Sequence, residues 1–240
     1  MACQMKRRSF SRTTVDSGDL DHLFQFVFTI TTWTLEKPPL EKLVAILRLS
    51  HFFDIESGTA YAVHYLSDHP VLTAPMRLFL ALTYDVDPWV TIAFQDLMKK
   101  SILDITENDE QLLGRFVYRL LVRSHAEVAQ HRSNLAFCAP VVIHVAHCAS
   151  QYQRKRCVQF WEDAWFGRKE TPGMVTALLD QGIPGAALYS VLDKFQVSGM
   201  FDDCRLLTLI SLRDTDTKIS SIKKEDVLIA EAIKKISCSM

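Results

Sequence analysis

Apolar positions along this chain fall into a segment written twice. Leu47-Arg-Leu-Ser-His-Phe-Phe53-Asp-Ile-Glu-Ser returns 31 residues later as Leu78-Phe-Leu-Ala-Leu-Thr-Tyr84-Asp-Val-Asp-Pro. In register, Leu47 matches Leu78, Leu49 Leu80, Phe53 Tyr84, Asp54 Asp85, Ile55 Val86, Ala62 Ala93 and Leu66 Leu97. Apolar residues three and four apart mark one face of a helix. Each copy therefore predicts a helical hairpin: a helix ending in an aromatic, a one-residue Asp turn, an aliphatic plug and a second helix. Leu47, Phe53 and Ile55, like Leu78, Tyr84 and Val86, are expected as interior contacts of a non-reactive framework.

The same reading extends in both directions. Leu20, Leu23, Phe24, Val27 and Phe28 follow the helical rule behind a cap at Asp19 or Asp21. The β-branched run Thr29 to Thr34 reads equally as a short strand. Lys37-Pro38-Pro39 breaks the backbone before the first hairpin, and Asp87-Pro88 reads as cap and first position of the second hairpin's closing helix. Thr106 to Asp109 resembles a capping box. It opens the longest periodic stretch, with Leu112, Leu113, Phe116, Val117, Leu120, Leu121, Ser124 and Val128 on one face, reaching about Asn134. Pro140 and Val141-Val-Ile143 interrupt the period over 138–146. Helices resume with Val158, Trp161, Ala164 and Trp165, then in short pieces after Thr171-Pro172, after Pro184 and from Cys204 to about Leu212. A last helix, about Lys223 to Ile236, turns Val227, Ala230, Ile233 and Ile236 inward. The expected fold is mostly all-α, stacked helical hairpins with at most a short strand near 29–34. Its expected organisation is a disordered 1–18, helical hairpins and a long helix over 19–136, and a helical region over 137–240.

Composition narrows the partners. Lys plus Arg number 27 against 28 acidic residues, so no global field draws in nucleic acid or an anionic membrane, and recognition falls to shape. Eight Gly and eight Pro in 240 residues are few for an all-β chain. The apolar run Leu23 to Leu35 is shorter than the roughly 20 residues of a membrane span. Lys6-Arg7-Arg8 is not followed by an apolar core, as a signal peptide requires. The expectation is a cytoplasmic or nuclear protein with reduced, mostly buried cysteines.

Candidate chemistry concentrates in one place. His144, His147, Cys148, Cys157 and the distant Cys204 are the donor types tetrahedral zinc selects. The spacing weighs against a metal: zinc knuckles set cysteines two to four residues apart, whereas Cys148 and Cys157 are nine apart around Arg154-Lys-Arg156. These residues are read as buried cysteines beside solvated or capping histidines, with no metal and no cofactor. A small zinc-stabilised module in the C-terminal half stands as the alternative. Arg154-Lys-Arg156 reads as a solvated helix start, with a nucleic-acid-associated regulator as second alternative. Trp161 and Trp165, four apart, read as core. The chain has no Gly-x-Ser-x-Gly, no phosphate-loop motif and no His-Glu-x-x-His, so no enzyme is expected and no catalytic residue is assigned.

Asp19-Leu-Asp-His-Leu-Phe-Gln-Phe26, Leu43-Val-Ala-Ile-Leu-Arg-Leu-Ser-His-Phe-Phe-Asp-Ile55 and Met76-Arg-Leu-Phe-Leu-Ala-Leu-Thr-Tyr-Asp-Val-Asp-Pro-Trp-Val90 resemble the back half of BTB/POZ proteins of the type abundant in mushroom-forming fungi. Cys148, Cys157, Trp161, Trp165 and Cys204 resemble that family's C-terminal pattern, so the likeness covers about 19–210. It implies a non-catalytic protein-interaction scaffold, adaptor-like, with homodimerisation and recruitment to a cullin-type ubiquitin ligase. The departure is at the front, where nothing before Asp19 supplies the family's sheet. The expectation is of a BTB protein lacking its sheet.

Overall fold

The duplicated segment folds as two hairpins with the same turn. In the computed structural model, which describes residues 17–28, 38–167, 173–180, 182–183, 185–213 and 223–238, α1 (Ser17–Phe28) precedes the first hairpin, α2 (Leu40–Phe52) and α3 (Glu56–Ser67), and the second, α4 (Ala74–Thr83) and α5 (Asp87–Met98). Asp54 and Asp85 both take left-handed backbone, φ 57° and 54°. Ile55 N–H donates to Ser50 O at 2.7 Å, and Val86 N–H to Ala81 O at 3.0 Å. This is the bond that closes a Schellman-type helix end, and aspartate is one of the few residues with a side chain that tolerates the left-handed position.

Packing follows the register. Leu47 and Leu78, Leu49 and Leu80, Ala62 and Ala93, Leu66 and Leu97 are all buried. The aromatic position departs from expectation: Phe53 is 49% exposed. It caps its helix rather than continuing it, with φ −95°, so its side chain leaves the buried stripe. Tyr84, half-buried, meets the ring of His51 edge-on at 5.5 Å. Where α2 crosses α3, a Cβ on Gly58 would collide with the Ser50 hydroxyl, and Ser50 is itself buried. Gly58→Ala should therefore lower stability by about 1–3 kcal/mol in urea unfolding, the range for overpacking, and Ser50→Gly in that background should recover part of the loss.

The second hairpin latches onto the first through Ser67. The buried Trp89 donates its indole N–H to Ser67 Oγ at 3.1 Å, and Arg77 Nη2 donates to Ser67 O at 2.9 Å. α1 lies antiparallel on α2, with Asp19 paired to Arg48 and Lys42 Nζ donating to Gln25 Oε1 at 3.2 Å. Only Leu23 of its apolar residues is buried.

Beyond these come a 3-10 turn (Ile102–Asp104), α6 (Glu107–Phe137), α7 (Gln151–Phe166), α8 (Met174–Leu179), α9 (Gly185–Asp193), α10 (Asp202–Arg213) and α11 (Lys223–Ser237). The described residues are thus mostly helical, with no strand among them. No helix among them is long and apolar enough to cross a membrane. The chain divides into two compact units, one of residues 1–97, 106–117 and 233–240, the other of 98–105 and 118–232. The capping box forms, since Asp109 N–H donates to Thr106 Oγ1 at 3.2 Å and Thr106 N–H to Asp109 Oδ2 at 3.2 Å.

Three expectations are corrected. α6 is not one continuous helix: Gly114, at φ 69° and ψ 159°, breaks it, in a backbone region that glycine alone enters readily. Phe116, two residues on, is exposed, while Val117, Leu121, Ser124 and Val128 carry the buried stripe. In α11 the buried positions are Glu225, Ala232 and Ile236, whereas Val227 and Ala230 are exposed. The helix is rotated because Glu225 faces inward to the guanidinium of Arg132. The stretch 1–16, the strand alternative at 29–34, Thr171-Pro172 and Pro184 lie outside the described residues.

Candidate metal centre

The second unit has a core of Trp161, Trp165, Leu188, Leu192, Leu209 and Leu212, into which three cysteines project. Trp161 and Trp165 pack at 5.6 Å with their planes tilted by 31°, Phe195 meets Trp161 edge-on at 5.7 Å, and Trp165 Nε1 donates to Ala136 O at 3.3 Å. The core reading of the tryptophans holds. The buried Cys157 is four residues before Trp161 on α7, so burying the indoles carries that thiol inward with them.

Cys148 arrives differently. Residues 139–150 are neither helix nor strand, as the broken period over 138–146 predicted. This segment is tied to α10 at two points, Ile143 N–H donating to Thr208 Oγ1 at 3.0 Å and Val145 N–H to Cys204 Sγ at 3.4 Å. The donors are two residues apart and the acceptors four. Two extended residues rise about 6.6–6.8 Å and four helical ones about 6 Å, so the segment runs antiparallel along α10 in near register. A turn follows, closed by Cys148 N–H to Val145 O at 3.0 Å. Ser150 then starts α7 with a reciprocal capping box to Gln153.

The result is convergence. One ligand atom each from His144, Cys148, Cys157 and Cys204 lies within 4.8 Å of the other three. Cys148 Sγ is 3.8 Å from Cys157 Sγ and 3.6 Å from His144 Nδ1. Cys148, Cys157 and Cys204 are fully buried or nearly so, and His144 is half-buried. Burial pushes the Cys148 thiol up to about 11, and the crowding sulfurs of Cys157 and Cys204 add to the rise. Burial, with the Arg154 guanidinium second, lowers the His144 pKa and favours its neutral, ligating form.

Sequence spacing had weighed against this grouping because it compares separations along the chain. Here the partners of Cys148 come from a segment, a helix and a second helix, and Cys204 enters from 47 residues beyond Cys157. His147 does not join: its side chain is exposed, with Nε2 3.3 Å from Asp203 Oδ2. Cys138 and Cys238 are exposed, so burial of the thiols holds for the three clustered cysteines and fails for these two.

Arg154-Lys-Arg156 occupies the exposed first turns of α7, as a solvated helix start should. Within it the residues differ. Arg154 Nε donates to Cys148 O at 2.9 Å, and Arg156 lies over the rings of Tyr152 and Phe160 at 5.7 and 5.4 Å. A shallow depression on the outside of α7, lined by Gln151, Lys155, Gln159 and Glu162 among others, belongs to that surface and not to the cluster. Comparison with protein-family models, with curated proteins and with solved structures finds no match to this chain.

Proposed function

We propose that the chain is a non-catalytic protein-interaction scaffold, and that its lead contact is self-association through the outer face of α1. The observation that carries this is the state of that face: Phe24, Val27 and Phe28 are 53%, 42% and 76% exposed, with the two phenylalanine rings stacked at 6.1 Å. Large apolar side chains gathered on one helix face, rimmed by polar residues, mark contact surfaces. A second copy of the chain is the occupant favoured by the resemblance to BTB/POZ proteins, in which homodimerisation is a family trait. Balanced charge, 27 basic against 28 acidic residues, favours a protein over a nucleic acid.

Sedimentation velocity over a concentration series tests the contact. The expected result is reversible dimerisation that Phe24→Asp with Phe28→Asp weakens about thirtyfold or more, the ~2 kcal/mol scale of an aromatic hot spot. Both side chains are exposed, so the double variant should keep its helical circular dichroism. A monomer at every concentration would sink the reading.

A further inference from the structure

We infer that His144, Cys148, Cys157 and Cys204 form a closed structural zinc site that fastens the second unit. The argument starts from length. A tetrahedral zinc with Zn–S of about 2.3 Å and Zn–N of about 2.0–2.1 Å has S···S edges of about 3.8 Å and S···N edges of about 3.6 Å. Cys148 Sγ stands 3.8 Å from Cys157 Sγ and 3.6 Å from His144 Nδ1, and all four donors lie within 4.8 Å of one another. Ordinary thiol contacts reach the same lengths one pair at a time; what sets this place apart is that three cysteine sulfurs and an imidazole nitrogen converge on one point of the core. A disulfide is a different object, with sulfurs about 2.0 Å apart, and these cysteines are free.

Donor chemistry selects the ion. Three sulfurs and one imidazole nitrogen are soft to borderline donors, which calcium and magnesium avoid and zinc prefers in tetrahedral array. Four protein ligands fill the coordination shell, which makes the site structural rather than catalytic.

The surroundings suit an anionic centre. Binding releases three thiol protons to solvent, His144 coordinates as neutral imidazole through Nδ1, and the complex carries a net charge of −1. Val145 N–H already points at Cys204 Sγ at 3.4 Å, and Arg154 holds Cys148 O at 2.9 Å, which places a cation beside the ligand turn. Such outer contacts orient ligands and balance charge. The ion would join the 139–150 segment, α7 and α10, three pieces otherwise held by the shared core and a few hydrogen bonds.

The test is metal analysis of the purified full-length chain, with cobalt(II) exchanged for zinc as a spectroscopic probe. One zinc per chain is expected, retained in Cys138→Ser and lost in Cys148→Ser and in Cys157→Ser. The cobalt form should show intense thiolate-to-metal charge transfer and tetrahedral ligand-field bands. Where the serine variants fail to fold, His144→Cys decides: it keeps the metal and strengthens the charge-transfer band in proportion to four thiolates over three. Arg154→Ala should bind one zinc with about 10–100-fold weaker affinity, the usual effect of losing an outer contact. Failure to take up zinc, weak octahedral cobalt bands, or zinc retained in both serine variants would overturn the site; stoichiometric iron or copper would overturn the choice of ion.

Discussion

Arg132→Met should destabilise the second unit by about 3–5 kcal/mol, the loss seen when one partner of a buried ion pair is removed. Arg132 and Glu225 are among the few charged residues buried in the described chain, and they meet in a two-pronged contact. Arg132 Nε donates to Glu225 Oε2 at 2.9 Å and Nη2 to Oε1 at 2.8 Å. The remaining nitrogen, Nη1, donates to Ile183 O at 2.9 Å and to Asp180 O at 3.3 Å. Removing the guanidinium thus abandons a buried carboxylate and two loop carbonyls together. Urea unfolding followed by tryptophan fluorescence reads this directly, because Trp161 and Trp165 sit in the same unit's core. Arg132→Lys should fall between, since an ammonium cannot span both carboxylate oxygens in a fixed fork. The double variant Arg132→Met with Glu225→Leu should be more stable than Arg132→Met alone, because it removes the stranded charge. Equal losses in the single and double variants would show that the guanidinium acts through its carbonyl contacts and not through the pair.

The second large effect concerns the duplicated hairpins. Leu47→Ala and Leu78→Ala should each destabilise the first unit by about 2–5 kcal/mol, the range for truncating a leucine in a closed core. Both side chains are fully buried at matched positions, 31 residues apart. Phe53→Ala should cost under about 1 kcal/mol, because its ring is half in water. Chemical denaturation of the three variants gives the comparison. A loss at Phe53 as large as at Leu47 would contradict the packing described for the first turn.

What the sequence made legible, and what it hid, divides along a physical line. Helical periodicity is local, so α7, α10 and α11 begin within a few residues of the starts read at Arg154, Cys204 and Lys223, and α10 and α11 end within one residue of Leu212 and Ile236. The turn residues Asp54 and Asp85 were legible for the same reason. Rotation of a helix about its axis is not local. Counting only apolar side chains put Val227 inward, because nothing near α11 announces that Glu225 will find Arg132 from 93 positions away. The break at Gly114 was readable only as a lone glycine inside a strong apolar period, a signal that the flanking leucines outweighed. The Cys/His cluster was visible as composition and discounted as spacing. Its geometry depends on a non-helical segment lying along α10, and no periodicity encodes that. Thr208 and Val145, which hold that segment, carried no signal at all.

One consequence of the single-residue aspartate turns is kinetic. Each hairpin gathers its contacts from positions close along the chain, and folds dominated by such local contacts form quickly. His144 and Cys204 are 60 residues apart, so their meeting requires closure of a much longer loop. As the polypeptide leaves the ribosome, the two amino-terminal hairpins can form while Cys204, and residues 233–240 that complete the first unit, are still unsynthesised.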